Sequence, residues 1–436
     1  MPRVIFLSLT KIWAKRPFSD GLLGKLVVTA FACGVCSFLL NPVPLHGQEK
    51  PLHTVFPYLD NGGYALQVSD KIVYSSNFHS RFTPASTIKI LTALMALETL
   101  GPEFRFTTQF YHDNDATLYI KGSGDPLLTS ETIADIAKQL QKRGIQRLKS
   151  IVLDDTAFAL EGPPPGSKNS TNPYDAGNGA LAVNFNSLPF TVTANNNVVS
   201  GEPQTPTIPL MHEIGSRYSK GSYRVNVSSF DARRNHSNIL RYCGELFISI
   251  FQHHGITVEH GYRPGGVPPQ ANRLFTYAST TTLRRLVQLC FRYSNNYIAN
   301  QLYLACGRKV HGGPATWHKA NTAARRYISK RLRLSTEAIR LVDGSGLAVA
   351  NAITPAAMLV VLERFRPYAD LLSQHRGISL KSGTLQGVYG YAGYFGAGPD
   401  LAPFVLFLNQ QRNTRSIILQ LLQEAFNALT VPHREP

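Results

Sequence analysis

Several signatures are missing from this 436-residue chain, and each absence counts against a class of function. Its thirteen histidines never form His-Glu-x-x-His, the helical arrangement that presents two imidazoles and a glutamate to zinc. His253-His254 reads instead as a polar surface pair. No Gly-x-Ser-x-Gly occurs. Gly344-Ser345-Gly346 has the wrong spacing for a hydrolase nucleophile elbow and reads as a tight turn. Zinc-finger and RNA-recognition patterns are absent, as is any long Lys/Arg run interleaved with aromatics. There are only five cysteines. Cys33 and Cys36 lie in an apolar run without a lipoprotein cleavage context. Cys243, Cys290 and Cys306 form no Cys-x-x-Cys and are read as buried thiols, with one disulfide as the alternative. Internal repeats and low-complexity tracts are lacking too, and nothing calls for a metal or another cofactor.

Acidic residues are scarce, 27 against 44 Lys and Arg, which leaves a net charge of +17. Such a surface favours an anionic partner such as nucleic acid, anionic lipid or an acidic polymer. The basic residues are scattered along the chain, so no nucleic acid is expected. With 43% hydrophobic residues the composition is that of a folded protein, and the length suggests two or three domains. Arg3, Lys11, Lys15, Arg16 and Lys25 precede an apolar run at residues 26–40. That run suits a signal-peptide core better than a membrane span of about 20 residues. Positive residues before it would stay cytoplasmic. Residues 1–50 are therefore read as a signal peptide or, since no clean small-x-small site follows, an N-terminal anchor giving membrane association. The expected location is the periplasm or the extracytoplasmic face of the membrane.

Residues 64–68 and 71–74 read as two strands around the Ser69-Asp70 turn. A helix follows, with Thr83 as N-cap, Pro84 at the first helical position and Gly101-Pro102 as its end. Ile88, Leu91, Leu94, Met95 and Leu97 give it an apolar stripe, which makes it central and buried. From about 104 to 270 the texture changes to short alternating segments, such as 104–110 and 117–121, with turn-rich stretches at 161–178 and 195–209. One amphipathic helix, 131–142, interrupts them. Helical pattern returns at 281–291, 297–306 and 354–366, the last with Thr354 as cap and Pro355 next. Three strands at 378–385, 390–395 and 403–409 and a helix at 416–429 complete the chain. Helix-rich segments flanking a β-rich stretch imply an α/β (α+β) domain split by an insert.

Three short motifs carry chemistry. In Ser86-Thr87-Ile88-Lys89, residues three apart share a helix face, so hydroxyl and amine sit side by side. A serine needs something to take its proton, and a lysine serves if burial or nearby positive charge lowers its pKa. Free N–H groups at the helix start can hold an oxyanion. A lysine on a central helix needs a reason, because buried charge is costly. Ser294-Asn295-Asn296 falls in the polar break between two helices, where Ser294 can relay a proton and Asn296 can hold an amide; alone it is an ordinary loop. In Lys381-Ser382-Gly383-Thr384, strand alternation puts Lys381 and Gly383 on one face and Ser382 and Thr384 on the other. Lys381 would favour the neutral amine on Lys89, Gly383 admits a substrate backbone, and the hydroxyls of Ser382 and Thr384 suit a carboxylate.

In this order the motifs resemble the signature of β-lactamases and penicillin-binding proteins. Further segments extend the resemblance: Pro84-Ala85 before the serine, Gly122-Ser123-Gly124-Asp125-Pro126, Asp154-Asp155-Thr156-x-Phe158, Ala182-Val183-Asn184-Phe185-Asn186, Asp343-Gly344-Ser345-Gly346-Leu347 with Asn351, and Ala392-Gly393-Tyr394. Together they resemble the D-alanyl-D-alanine carboxypeptidase/endopeptidase family, the class C low-molecular-mass penicillin-binding proteins, from about residue 50 to 430. The long gap between Lys89 and Ser294 resembles this class, whose extra domains are inserted there. The resemblance implies a penicillin-binding/β-lactamase-like transpeptidase domain at 51–103 and 271–436, with one or more mainly β domains inserted at 104–270. It implies acyl-enzyme hydrolysis of peptidoglycan stem peptides, with β-lactams as covalent inhibitors. Ser86, Lys89, Ser294, Asn296 and Lys381 would be catalytic; Ser382, Gly383, Thr384, Asp155 and Gln386 would bind substrate. The chain departs from the pattern at Asn295 and Ser382, where Asp and Thr are common. Asn300 replaces an acid, and Ala348-Val349 stand where Ser-Arg is frequent. That arginine resembles a contact to the substrate's diamino acid; Asp155 would hold that residue's amine, with Gln386 in the same pocket. A β-lactamase or esterase on the same fold and a catalytically silent peptidoglycan-binding protein are the alternatives, and oligomeric state is left open.

Overall fold

The computed structural model describes residues 50–230 and 237–430, so the expected leader, apart from Lys50, lies outside the described residues. The helices are α1 (Lys89–Leu100), α2 (Ser130–Gln141), α3 (Pro209–Gly215), α4 (Asn238–His253), α5 (Leu283–Tyr293), α6 (Asn296–His311), α7 (Trp317–Lys330), α8 (Pro355–Phe365) and α9 (Arg415–Thr430). The chain's early and late segments share one sheet. Its strands run in the order Ser373–His375, Ile378–Leu385, Val388–Phe395, Ala402–Leu408, Gly62–Val68 and Lys71–Ser76, each antiparallel to its neighbour. Side-chain alternation gives this sheet two buried faces. Phe404 and Leu406 enter a core with Ile418, Leu422 and Phe426 of α9, while Val405 and Phe407 enter one with α1, α5, α6 and α8.

Helix α1 is buried from Lys89 to Leu97, between the sheet and the helical layer. Each fully buried Leu or Ile there contributes about 1.5–3 kcal/mol relative to an exposed one. The start of this segment departs from expectation. Thr83 does not cap a helix; its hydroxyl donates to the carbonyl of Val349 (3.1 Å). Residues Ala85–Ile88 form a 3-10 turn that leads into α1 at Lys89. Local signals for a helix start are correct here to within a turn, but the turn's backbone is set by what packs on it.

Among the described residues, the region from 104 to 280 holds three sheets and a third core, the smallest sheet being the parallel pair Arg147–Leu148 and Thr257–Val258. Tyr262–Pro264, Ser150–Asp154, Thr117–Lys121, Thr107–His112 and Asn272–Ala278 form the larger sheet; Val198–Ser200, Ser187–Val192 and Gly221–Asn226 form the smaller one. Strand patterning anticipates 117–121 and, shifted by a few residues, 107–112; Val198–Ser200 falls in a stretch read as turn, Asn272–Ala278 joins this sheet from beyond the expected boundary at 270, and two helices are passed over. Helix α4 packs Tyr242, Leu246, Phe247, Ile250 and Phe251 at helical spacing behind a Ser237 cap, whose Oγ accepts from Ile239 N (3.2 Å). Helix α3 is a short turn begun by Pro209. Helix α7 was likewise unexpected. Its buried stripe is mostly alanine (Ala320, Ala323, Ala324, Tyr327, Ile328) in an otherwise basic sequence, and it lies against α6.

A strap at residues 161–178 runs from the larger sheet toward the helical layer. Gln301 of α6 anchors its end: Nε2 donates to the carbonyls of Gly124 (3.0 Å) and Gly179 (2.9 Å), and Oε1 accepts from Asn178 Nδ2 (3.0 Å). Gln301 is fully buried. Replacing it with Leu would leave these groups without that partner, so Gln301→Leu is expected to lower unfolding free energy by about 2–3 kcal/mol. An unchanged urea midpoint for that variant would contradict this account of the anchor.

Candidate active site

The turn that carries Ser86 is held in an unusual conformation. Ala85 is a buried non-glycine residue with φ 47°. Two glycines from distant segments press on it. A Cβ on Gly346 would lie 2.0 Å from the Ala85 carbonyl oxygen, and one on Gly383 would lie 2.6 Å from that of Pro84 and 3.1 Å from the Ser86 nitrogen. Any larger residue at either position would displace the turn. Strained backbone of this kind persists only where the surroundings over-determine it.

Lys89 is the centre of the arrangement. Its Nζ lies 2.7 Å from Ser86 Oγ, 2.8 Å from Asn296 Oδ1 and 2.6 Å from the Ser345 carbonyl oxygen. The last two groups can only accept. In the neutral amine they take the two N–H bonds, so the lone pair is left for the Ser86 hydroxyl. Burial holds Lys89 down at about 7, with Lys381 pushing the same way and Cys290 and Asp343 opposing. The descent from the usual 10.5 corresponds to roughly 5 kcal/mol against the ammonium form.

The Ser345 carbonyl is positioned by a buried turn. One carboxylate, Asp343, accepts from the backbone N–H of Ser345 (3.0 Å), Gly346 (3.3 Å) and Leu347 (3.4 Å), and from the side chains of Ser345 and Asn351. Asn300 Oδ1 accepts from Gly344 N (2.9 Å). An acid at 300 would face Asp343 across this turn, whereas the amide supplies the acceptor without a second charge. Thr92 of α1 donates to the Gly344 carbonyl (2.7 Å). The segment read from sequence as a tight turn is thus a buried ring of acceptors beneath Lys89.

Ser294 closes α5 in a left-handed conformation (φ 49°), and Asn295 Oδ1 caps α6 by accepting from Ile298 N (2.9 Å). The cap explains why an amide serves where Asp is common: either side chain offers the oxygen. Lys381 Nζ lies 2.9 Å from Ser294 Oγ and 2.8 Å from the Ser382 carbonyl. Burial lowers Lys381 to about 8, Arg415 adds to the descent and Cys290 opposes it. Cys290 itself lies deep beside both lysines, and burial raises its thiol to about 11. Cys243 and Cys306 are also buried thiols.

A cavity of about 730 Å3 opens over Ser86, and Ser294, Asn296, Thr384 and Gln386 line it. Ser382 does not, although its carbonyl holds Lys381. The Thr384 hydroxyl accepts from Arg415 Nη1 (2.7 Å), which also donates to the Gly383 carbonyl (2.9 Å). Arg415 begins α9 and its guanidinium lies over the Tyr391 ring (4.9 Å). It carries no local motif, so nothing in its neighbourhood could have marked it. The strap also enters the wall through Gly166, Lys168, Tyr174 and Asp175, and Asn296 Nδ2 donates to the Tyr174 carbonyl (3.1 Å).

Asp155 is not brought into this cavity. It lines a separate hollow of about 430 Å3 with Phe158, Gly162 and Asn169, and burial raises its carboxyl. The strap divides the two spaces, since its residues wall both. Gly166 lies so close to Ala348 that a Cβ would sit 2.4 Å from the Ala348 Cα. The missing side chain at Gly166 therefore allows the strap to seal against the backbone of the turn, while Val349, 71% exposed, edges the cavity.

A family model described as the D-Ala-D-Ala carboxypeptidase 3 (S13) family matches residues 60–241 and 218–374. The match ends before Lys381. Curated relatives include D-alanyl-D-alanine carboxypeptidase DacB of Haemophilus influenzae, 23% identical over 427 residues and covering 83% of this chain and 88% of the relative. A D-alanyl-D-alanine carboxypeptidase of Actinomadura sp. is 24% identical over 396 residues, covering 75% and 73%. Among solved structures, penicillin binding protein 4 from H. influenzae superposes with a TM-score of 0.71 at 22% identity, covering 86% of this chain and 98% of that one, which places the two in one fold.

Removing the charge of Lys381 takes away one of the influences that keep Lys89 neutral. Lys381→Met is expected to slow any reaction of Ser86 by about a hundredfold or more and to move its acid limb upward from about 7. A limb that stays in place in the pH profile would show that the two amines do not communicate.

Proposed function

The chain belongs to the D-Ala-D-Ala carboxypeptidase 3 (S13) family, and from that premise we propose how its residues share the work. It is a serine-type peptidase of D-alanyl bonds in peptidoglycan stem peptides. One observation carries the assignment of roles: the amine of Lys89, held near neutrality, has the Ser86 hydroxyl as the single proton-bearing partner among its three contacts.

Ser86 Oγ attacks the carbonyl of the penultimate D-alanine, and Lys89 takes its proton. Backbone N–H groups of Ser86 and Thr384 hold the developing oxyanion. Ser294, hydrogen-bonded to Lys381, hands a proton to the departing amine. The resulting ester on Ser86 is then cleaved by water. Lys381 and the Arg415–Thr384 pair surround the place where a leaving carboxylate would sit, which suits a substrate ending in a free acid. A β-lactam, which presents a strained amide beside a carboxylate, enters the same route and stays as an acyl group. Gln386 lies in the wall of the cavity, near enough to its edge to meet the substrate's side chains. Asp155, behind the strap, would meet substrate only if that segment moved.

The charged segment before the apolar run at 26–40 supports export, with peptidoglycan reached from the extracytoplasmic face and the run serving as leader or tether. No helix among the described residues is long and apolar enough to cross a membrane.

Labelled penicillin is expected to mark the purified protein and to leave Ser86→Ala unmarked; equal labelling of both removes the proposed nucleophile. Turnover of the label with rapid release would instead indicate a β-lactamase. The rate of labelling is expected to fall as pH drops through about 7, where Lys89 gains its proton, and to decline again above about 8, where Lys381 loses its own. A flat profile between pH 6 and 9 would contradict these roles. Cell fractionation is expected to recover the full chain outside the cytoplasm, and recovery in the soluble cytoplasmic fraction would refute export.

A further inference from the structure

The groove over Ser86 does not stop at Ser294. A second hollow of about 320 Å3 adjoins it and shares Tyr174, Ser294 and Asn296 with it, so the two are arms of one groove that meet at the second motif. The first arm holds the nucleophile. The second is walled by rings: Tyr174, Phe185, Tyr293 and Tyr297, with Arg224 at its side. Tyr174 and Tyr293 are 52% and 65% exposed, an unusual amount of aromatic surface to leave in water beside a reactive centre.

The backbone that delivers Phe185 is strained. Asn184, Phe185 and Asn186 have φ of 46°, 60° and 52°, a left-handed run that L-residues avoid. A buried network holds it. Asn184 Oδ1 accepts from Ser130 N (3.0 Å), Asn184 Nδ2 donates to Ser130 Oγ and to the Tyr242 hydroxyl (both 3.0 Å), and Asn186 Nδ2 donates to the Gly177 carbonyl (2.7 Å). The ring this run delivers packs in part against the core and with its remaining surface walls the groove. Phe185 and Tyr297 meet edge to face at 6.2 Å, and the Arg292 guanidinium lies 5.5 Å from the Tyr293 centroid.

The direction of the reaction says what this arm is for. The departing amine receives its proton at Ser294, so the leaving group exits on the Ser294 side. The aromatic arm continues beyond Ser294 on that side. A departing alanine, a methyl and a carboxylate, has nothing to lay across these rings. A departing peptide has backbone amides and side chains that do. Resting on the reading of the function given above, we propose that Tyr174, Phe185 and Tyr293 form a specificity subsite for the leaving half of a cross-linked substrate. When the carbonyl–nitrogen bond of the cross-link breaks, the Ser86–carbonyl ester forms, the released side-chain amine takes the proton relayed by Ser294, and the second peptide stays on the rings until it dissociates. Water later cleaves the ester to a carboxylate and frees Ser86.

The test compares two substrates with the purified full chain. One is a monomeric muropeptide ending in D-alanyl-D-alanine, the other a cross-linked muropeptide dimer, each followed by mass spectrometry to give kcat/KM. The double variant Tyr174→Ala/Tyr293→Ala is expected to lower the ratio of dimer cleavage to alanine release by about tenfold, chiefly through KM. Tyr174→Phe/Tyr293→Phe, which keeps the rings, is expected to restore it. Thermal melting by circular dichroism checks that the variants fold, and both tyrosines are exposed. A ratio that stays at the wild-type value, or activities that fall equally on both substrates, overturns the subsite. A wild-type chain that is not labelled by penicillin at Ser86 overturns the reading of the function itself, which is a separate failure.

Discussion

The structure is organised around one buried amine. Lys89 starts a helix that is buried through Leu97, where an ammonium ion is expensive. Among the described residues no carboxylate pairs with its Nζ. Its surroundings offer two carbonyl-type acceptors and a hydroxyl. That choice keeps the amine close to neutral, and a neutral amine beside a hydroxyl is a base. Had Asp343 met Lys89 directly, the ion pair would have held the proton and removed the base. The carboxylate is instead spent on ordering the turn whose Ser345 carbonyl faces Lys89, and its charge reaches the lysine only at a distance.

Three layers converge to maintain this. The antiparallel sheet supplies Lys381 and the backbone of Gly383, which presses on the Ser86 turn. The helical layer supplies Ser294 and Asn296 from the sharp junction of α5 and α6. The Asp343 turn closes the floor. Each element is separated in sequence from the others, and each contributes a contact that the others cannot make. The strap from the inserted region adds the upper wall. It is tied to α6 at both Asn296 and Gln301, so the catalytic layer and the insert share hydrogen bonds as well as a surface.

Much of the element order is legible in the sequence because it rests on local rules. Strand alternation at 378–385, the Thr354-Pro355 start of α8 and the break at Ser294 each carry their own signal. Helix α7 was illegible for a physical reason: its buried face is built of alanines, which register weakly in an apolar pattern yet pack closely on α6. Helix α4 has a clear stripe, but it stands among turn-rich segments that favour reading strands. The misplaced start of α1 reflects tertiary pressure, since Gly346 and Gly383 hold Ala85 in a conformation that no local preference supplies.

For the site, spacing alone put Ser86 beside Lys89, because three residues make nearly one helical turn. It also set the alternation that sends Lys381 to one face of its strand and Thr384 to the other. The pairing of Lys381 with Ser294, the acceptor ring from Asp343 to Asn351, the Arg415 clasp on Thr384 and the exclusion of Asp155 from the Ser86 cavity were decided by tertiary structure. Periodicity is a property of neighbours along the chain and is written into it. Convergence of distant segments depends on how whole layers pack, and on small residues such as Gly166 that set how closely a strap can approach, so it appears only when the chain has folded.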